Sequence, residues 1–119
     1  MHHEAPEVQF RLRIVKGEDI AVGPGKVDLL EAIGATGSIS AAAKALGMSY
    51  RRAWLLVDTM NRCFTEPVVA TEAGGAHGGG TRLTAAGAEV VRCYRRAESK
   101  AAKAGAADIA ALSALLRRS

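Results

Sequence analysis

The residues best equipped for chemistry fall in one run, Ser38-Ile39-Ser40-Ala41-Ala42-Ala43-Lys44-Ala45-Leu46-Gly47-Met48-Ser49-Tyr50-Arg51-Arg52-Ala53-Trp54. Its hydroxyls and cations can donate hydrogen bonds to phosphate oxygens, and an arginine can meet guanine O6 and N7 with two parallel bonds. The run reads as two short helices joined by a tight turn at Gly47, with Ser38 and Ser49 each placed to cap a helix. That is the pattern of a helix-turn-helix, whose second helix lies in the major groove of DNA. Ser49, Tyr50, Arg51 and Arg52 then occupy the start of the reading helix. Either arginine reads a guanine or only neutralises phosphate; both roles stay open. Tyr50 is expected to reach the DNA backbone, and Trp54 either joins it or packs against neighbouring helices. Ser38, Ser40 and Lys44 belong to the helix that crosses the sugar-phosphate backbone, with a plain solvated surface as the alternative for Ser40 and Lys44.

These side chains need a frame. Val8, Phe10, Leu12 and Ile14 alternate with Gln9, Arg11 and Arg13, which predicts a half-buried strand over 8–15. Lys16-Gly17-Glu18-Asp19 is a turn, and a short return follows before Gly23-Pro24-Gly25. Val27, Leu29, Leu30 and Ile33 mark a first helix ending at the glycines near Gly37. In the second helix Ala42, Ala45 and Leu46 are expected to face inward. In the third, running to about Phe64, the inward stripe is Ala53, Val57, Met60 and Phe64. Strands over 68–71 and 81–83 flank the glycine run around His77, forming a hairpin or wing that carries His77 and Arg82. Glycines there allow close approach to a backbone or minor groove. Thr84 caps one long last helix reaching about Leu116. Val90, Tyr94, Ala97, Ala101, Ile109, Leu112 and Leu116 give it an apolar stripe that a small core cannot cover, so they are assigned to a dimer interface.

At 119 residues and 49% hydrophobic content, the chain is long enough for one modest core. Aromatics make up only 4%, which argues against a stacking platform for single strands, while a net charge of +4 favours an acidic partner. The two cysteines, Cys63 and Cys93, lack CxxC spacing, so neither a disulfide scaffold nor a zinc knuckle is expected. They read as buried small hydrophobes rather than reactive thiols. No run reaches membrane-spanning length, and the start lacks a signal-peptide pattern; a cytoplasmic protein is expected. The glycine run lacks the Lys-Ser/Thr of a phosphate-binding loop. No nucleophile–base pair, carboxylate dyad or metal-spaced cluster emerges, so the reading is not an enzyme and assigns no metal.

Gly37-Ser38-Ile39-Ser40, Gly47-Met48-Ser49-Tyr50 with Ala53-Trp54, then Val57-Asp58 and Met60-Asn61, resemble the N-terminal DNA-binding domain of the ModE family of molybdate-responsive bacterial regulators. The run Gly74-Gly75-Ala76-His77-Gly78-Gly79-Gly80, closing with Leu83-Thr84 and Gly87, is its most distinctive part. The resemblance spans roughly 8–95. LysR-type regulators share the Leu-Thr-x-x-Gly step but usually lack this wing and the Ser-Tyr-x-x-Ala-Trp run. The resemblance implies double-stranded DNA as partner. Family members typically continue into C-terminal oxyanion-binding modules that sense molybdate or tungstate, which these 119 residues do not supply. Hence no cofactor is expected in this chain, and molybdate or tungstate only through a partner or a missing domain.

The expected architecture is α+β and mainly α: a winged helix-turn-helix with a long C-terminal dimerisation helix. Residues 1–7 are expected to be a disordered end, 8–83 the DNA-binding domain and 84–119 the dimerisation helix. Function is expected to be transcriptional regulation by a homodimer on a pseudo-palindromic operator, linked to molybdenum, tungsten or related metabolism. The alternative is an interaction module that heterodimerises with a full-length regulator and modulates it. On the leading reading the chain is either a naturally short regulator or one that borrows its sensing from another component, with a separate oxyanion-binding protein as the candidate partner.

Overall fold

In the computed structural model, which describes residues 5–72 and 80–117, the chain is mainly helical with two small antiparallel sheets. Strands β1 (Ile14–Lys16) and β2 (Asp19–Val22) pair around Gly17, whose φ of 62° is a left-handed turn conformation that suits glycine. The strand expected over 8–15 is much shorter. β2 runs out at Gly23-Pro24, so Ile14↔Val22 is the last pair, and a register irregularity follows Ile14. Among the described residues no strand pairs with the earlier ones, and Val8, Leu12, Ile14 and Val15 are 40–62% exposed.

Helix α1 (Pro24–Thr36) starts at a proline whose missing N–H costs nothing there. It buries Val27, Leu29, Leu30 and Ile33 completely. Left-handed Gly37 closes it by donating to Ile33 O at 2.8 Å. Helix α2 (Ile39–Ala45) buries Ile39, Ala42 and Ala43. The inward assignment of Ala45 and Leu46 is therefore corrected: Ala45 is exposed and Leu46 is 38% exposed. Because Ser38 starts the helix at Ile39, the i, i+3, i+4 stripe is Ile39–Ala42–Ala43, and Leu46 falls at the helix's end. Helix α3 (Tyr50–Cys63) buries Ala53, Val57 and Met60, as its periodicity predicts. With Val68 and Val69 these residues form the main core.

Strands β3 (Val69–Thr71) and β4 (Thr81–Leu83) pair in register Val69↔Leu83. The last helix is not continuous. It divides at Gly105 into α4 (Ala85–Ala104) and α5 (Ala106–Ala114), with glycine, a poor helix former, at the junction. The α4 start is tightly built. Thr84 accepts from Gly87 N at 3.0 Å and donates to Pro67 O at 2.6 Å. A Cβ on Gly87 would lie 2.1 Å from Val68 O, so only glycine lets α4 approach the β3 end this closely. Farther along, Tyr94 is 4% exposed, packs with Val22 and Val27, and donates its hydroxyl to Leu12 O at 2.8 Å. Arg95 clamps α4 to α1 through Asp28 at 2.8 Å and Glu31, and also pairs with Glu98. The cysteines are less buried than expected: Cys63 is half-buried and Cys93 exposed, because α4 turns Cys93 away from the core that Tyr94 enters.

Candidate nucleic-acid interface

Each of the two short central helices starts on a serine, and both caps form. Ser38 Oγ accepts from Ala41 N and Ser49 Oγ from Arg52 N, each at 3.1 Å. These bonds use acceptor capacity only, so both hydroxyl protons can still be donated outward. Between the helices Gly47 takes φ 68°, and Met48 N donates back to Ala43 O at 3.0 Å. The turn thereby sets the angle between α2 and α3. Once Ala53, Val57 and Met60 are committed inward, the opposite face of α3 is solvated. Tyr50 is 55%, Trp54 47% and Leu55 46% exposed, and with Arg51 they line one shallow hollow.

Trp54, for which packing and backbone contact were both expected, is on the exposed face, and Leu55, expected at the margin of that face, joins it. The signal was present in the spacing, since positions 54 and 55 lie off the 53–57–60 stripe. Among the described residues Lys44, Arg51 and Arg52 form no ion pair. Asp58, the acid on this helix, is held by Arg62 at 3.2 Å, a bond that raises the Arg62 pKa above its ordinary value. The exposed face is therefore donor-rich and cationic around its first turn, with Ser40 and Lys44 exposed on neighbouring α2.

The β3–β4 pair is tied to both sides of this surface. Asn61 of α3 accepts from Val68 N at 2.8 Å and Val69 N at 3.3 Å, and donates to Val69 O at 3.1 Å. On the other strand Thr81 N donates to Gly37 O at 3.1 Å, joining β4 to the α1–α2 turn. Two three-residue strands are marginal alone, so these bonds supply the orientation. Arg82 is exposed on β4 and pairs with Glu72 at 3.4 Å. His77 lies outside the described residues.

The residues assigned to a dimer interface separate into two groups. Tyr94 is already covered within its own chain, and Val90 is half-buried against the same core, because the first turns of α4 are needed to close it. Ala97 and Ala101 are exposed, Ile109 is partly so, and Leu112 and Leu116 are 66% and 59% exposed. No residue of α5 is buried. Among the described residues no helix is long and apolar enough to cross a membrane, and no group of three His, Cys, Asp or Glu residues gathers.

No protein-family model matches the chain. It is, however, 47% identical over 92 residues to "Molybdenum transport protein ModE" of Azotobacter vinelandii, a match covering 76% of this chain and 34% of that relative. It is 48% identical over 82 residues to "Molybdenum-pterin-binding protein MopB" of Rhodobacter capsulatus, covering 69% of this chain and 30% of that relative. "DNA-binding transcriptional dual regulator ModE" of Escherichia coli K12 is 32% identical over 88 residues, covering 74% of this chain and 34% of its own length. The chain thus spans about a third of the length of the curated relatives it matches.

Proposed function

The chain belongs to the ModE family, matching its N-terminal region, and from that membership we propose that it is a DNA-binding transcriptional regulator linked to molybdate. Residues 8–83 are the DNA-binding part, a winged helix-turn-helix, and α3 enters the major groove. The observation carrying this reading is the first turn of α3, where Tyr50, Arg51 and Arg52 are exposed, the arginines have no carboxylate partner among the described residues, and the turn is fixed by the Ser49 cap. Arg51 reads a base edge, and Trp54 and Leu55 offer apolar contact to a thymine methyl. Lys44 and Ser40 meet phosphate beside the groove, and Arg82 exchanges Glu72 for a phosphate in the wing. His77 is assigned to the wing from its place in the glycine run.

Residues 84–119 assemble the protein as a cytoplasmic homodimer on a pseudo-palindromic operator. Supporting this, Leu112, Leu115 and Leu116 are 59–82% exposed, while Leu12, Ile14, Phe64, Val90 and Ala97 line an apolar groove of about 370 Å³ on the body. A partner of the same kind can cover both. The same leucines also suit pairing with a full-length regulator. Selection of bound sequences from a random duplex pool tests the principal reading. Enrichment of a two-fold symmetric site is expected; bound pools with no enriched sequence would overturn base reading. Co-purification with a longer relative but no duplex retention would favour the interaction module.

A further inference from the structure

Arg52 faces a second environment besides the groove-facing surface. With Arg11, Arg13 and Lys26 it lines a cleft of about 300 Å³ between the N-terminal segment, the start of α1 and α3. Among the described residues no carboxylate lines it and none of the four cations forms an ion pair. Asp19, whose charge reaches Lys26, is itself engaged by Arg62 at 3.6 Å. Burial holds the Lys26 ammonium below its ordinary pKa; Arg52 and Arg13 push it further down, against Cys63 and Asp19.

The floor of the cleft is the N-terminus of α1. This end has no capping side chain and no acidic residue in its first turn. Its leading N–H groups, at Gly25 and Lys26, have no intrahelical acceptor, and a lysine here opposes the helix dipole. Gly23 permits the crowding: a Cβ there would sit 3.3 Å from Arg13 Cγ, so the arginine stem lies across the helix start. Clustered cations at an uncapped helix N-terminus repel one another in the free protein and are relieved by an anion.

We propose that this cleft is a phosphate site. It takes a backbone phosphodiester flanking the groove engaged by α3, through Arg13, Lys26 and the α1 amides, with Arg11 at its rim. The inference rests on the DNA-binding reading above. A phosphodiester is the occupant rather than a free tetrahedral oxyanion because Arg52 belongs both to the cleft and to the first turn of α3.

The test is anisotropy titration of a random-sequence duplex over a salt series, with the parent protein and the Arg13→Gln/Lys26→Gln variant. The variant should bind about tenfold more weakly near physiological salt, and its slope of log Kd against log salt should fall by about one to two. Its thermal midpoint should equal or exceed the parent's, because a repulsion has been removed. Charge-conserving Arg13→Lys/Lys26→Arg should retain most of the slope, which a folding defect would not restore. An unchanged slope in the Gln variant would overturn the cleft and leave the DNA reading intact. A parent protein that binds no duplex would overturn both. Amide NMR titrations with inorganic phosphate and with molybdate separate the sources. Weak, millimolar shifts at Gly25 and Lys26 are expected, whereas micromolar saturation by either ion would make a free oxyanion the occupant and overturn the phosphodiester.

Discussion

Arg51 and Arg52 are neighbours in sequence but not in surroundings. Arg51 shares its hollow with Tyr50, Trp54 and Leu55, while Arg52 turns toward Lys26 and Arg13. Arg51→Ala should therefore weaken binding to a selected operator by about 1–3 kcal/mol, and weaken random duplex far less. Its thermal midpoint should not move, since the side chain is exposed and has no ion-pair partner among the described residues. Equal losses on both duplexes would reduce Arg51 to a phosphate contact. Gly87 acts through space rather than charge. An added Cβ meets Val68 O at 2.1 Å and Leu83 Cδ1 at 2.7 Å, and a backbone carbonyl cannot swing aside as a side chain can. Gly87→Ala should cost about 3 kcal/mol or more in urea unfolding. A loss below about 1 kcal/mol would mean that α4 can shift away from β3 freely.

At the scale of elements, the β3–β4 pair depends on what grips it. Asn61 makes three bonds to the β3 end and so performs the work of an absent neighbouring strand. Asn61→Leu keeps the volume but leaves the Val68 and Val69 amides without their acceptor, at about 1–3 kcal/mol. Hydrogen exchange should quicken at Val68 and Val69 first, before the α1 core opens. Exchange that rises uniformly over the molecule would show that Asn61 holds the whole fold rather than this pair. The Val57-Asp58 and Met60-Asn61 residues noted in the sequence thus divide their tasks: Val57 and Met60 fill the core, Asn61 binds β3, and Asp58 holds Arg62.

For the whole molecule, shape carries the message. The radius of gyration is 17.6 Å and the extents are 58 × 35 × 24 Å. A compact chain of this length would have a radius of about 13–14 Å. No residue of α5 is buried, and Leu112, with Leu115 and Leu116 just beyond the helix, has no core to join within its own chain, so on the reading proposed above a second copy covers them. Sedimentation at micromolar concentration should give twice the chain mass, and Leu112→Asp/Leu116→Asp should give the monomer with its core transition preserved. A double variant still dimeric would move the interface to the body, around Ile14 and Val90. A parent protein that sediments as a monomer would remove the basis for symmetric operator recognition.

Helix identity and the capped helix starts were legible without coordinates because they depend on near neighbours. The Ser38, Ser49 and Thr84 caps, the α1 stripe and the Ala53–Val57–Met60 stripe each need only a few residues and the 3.6-residue period. Features that join distant segments were not legible. Alternation over 8–15 promised a strand, yet a strand also requires a partner, and β2 supplies only four residues. Tyr94 fitted an outward stripe by spacing, but Val22, Val27 and the Leu12 carbonyl drew it inside. Gly105 was one glycine within a long periodic run, and the run divides there where no core contact holds it straight. The cationic cleft gathers Arg11 and Arg13, Lys26, and Arg52 from three separate segments. Local propensity wrote the helices; long-range packing chose which faces they show and which charges meet.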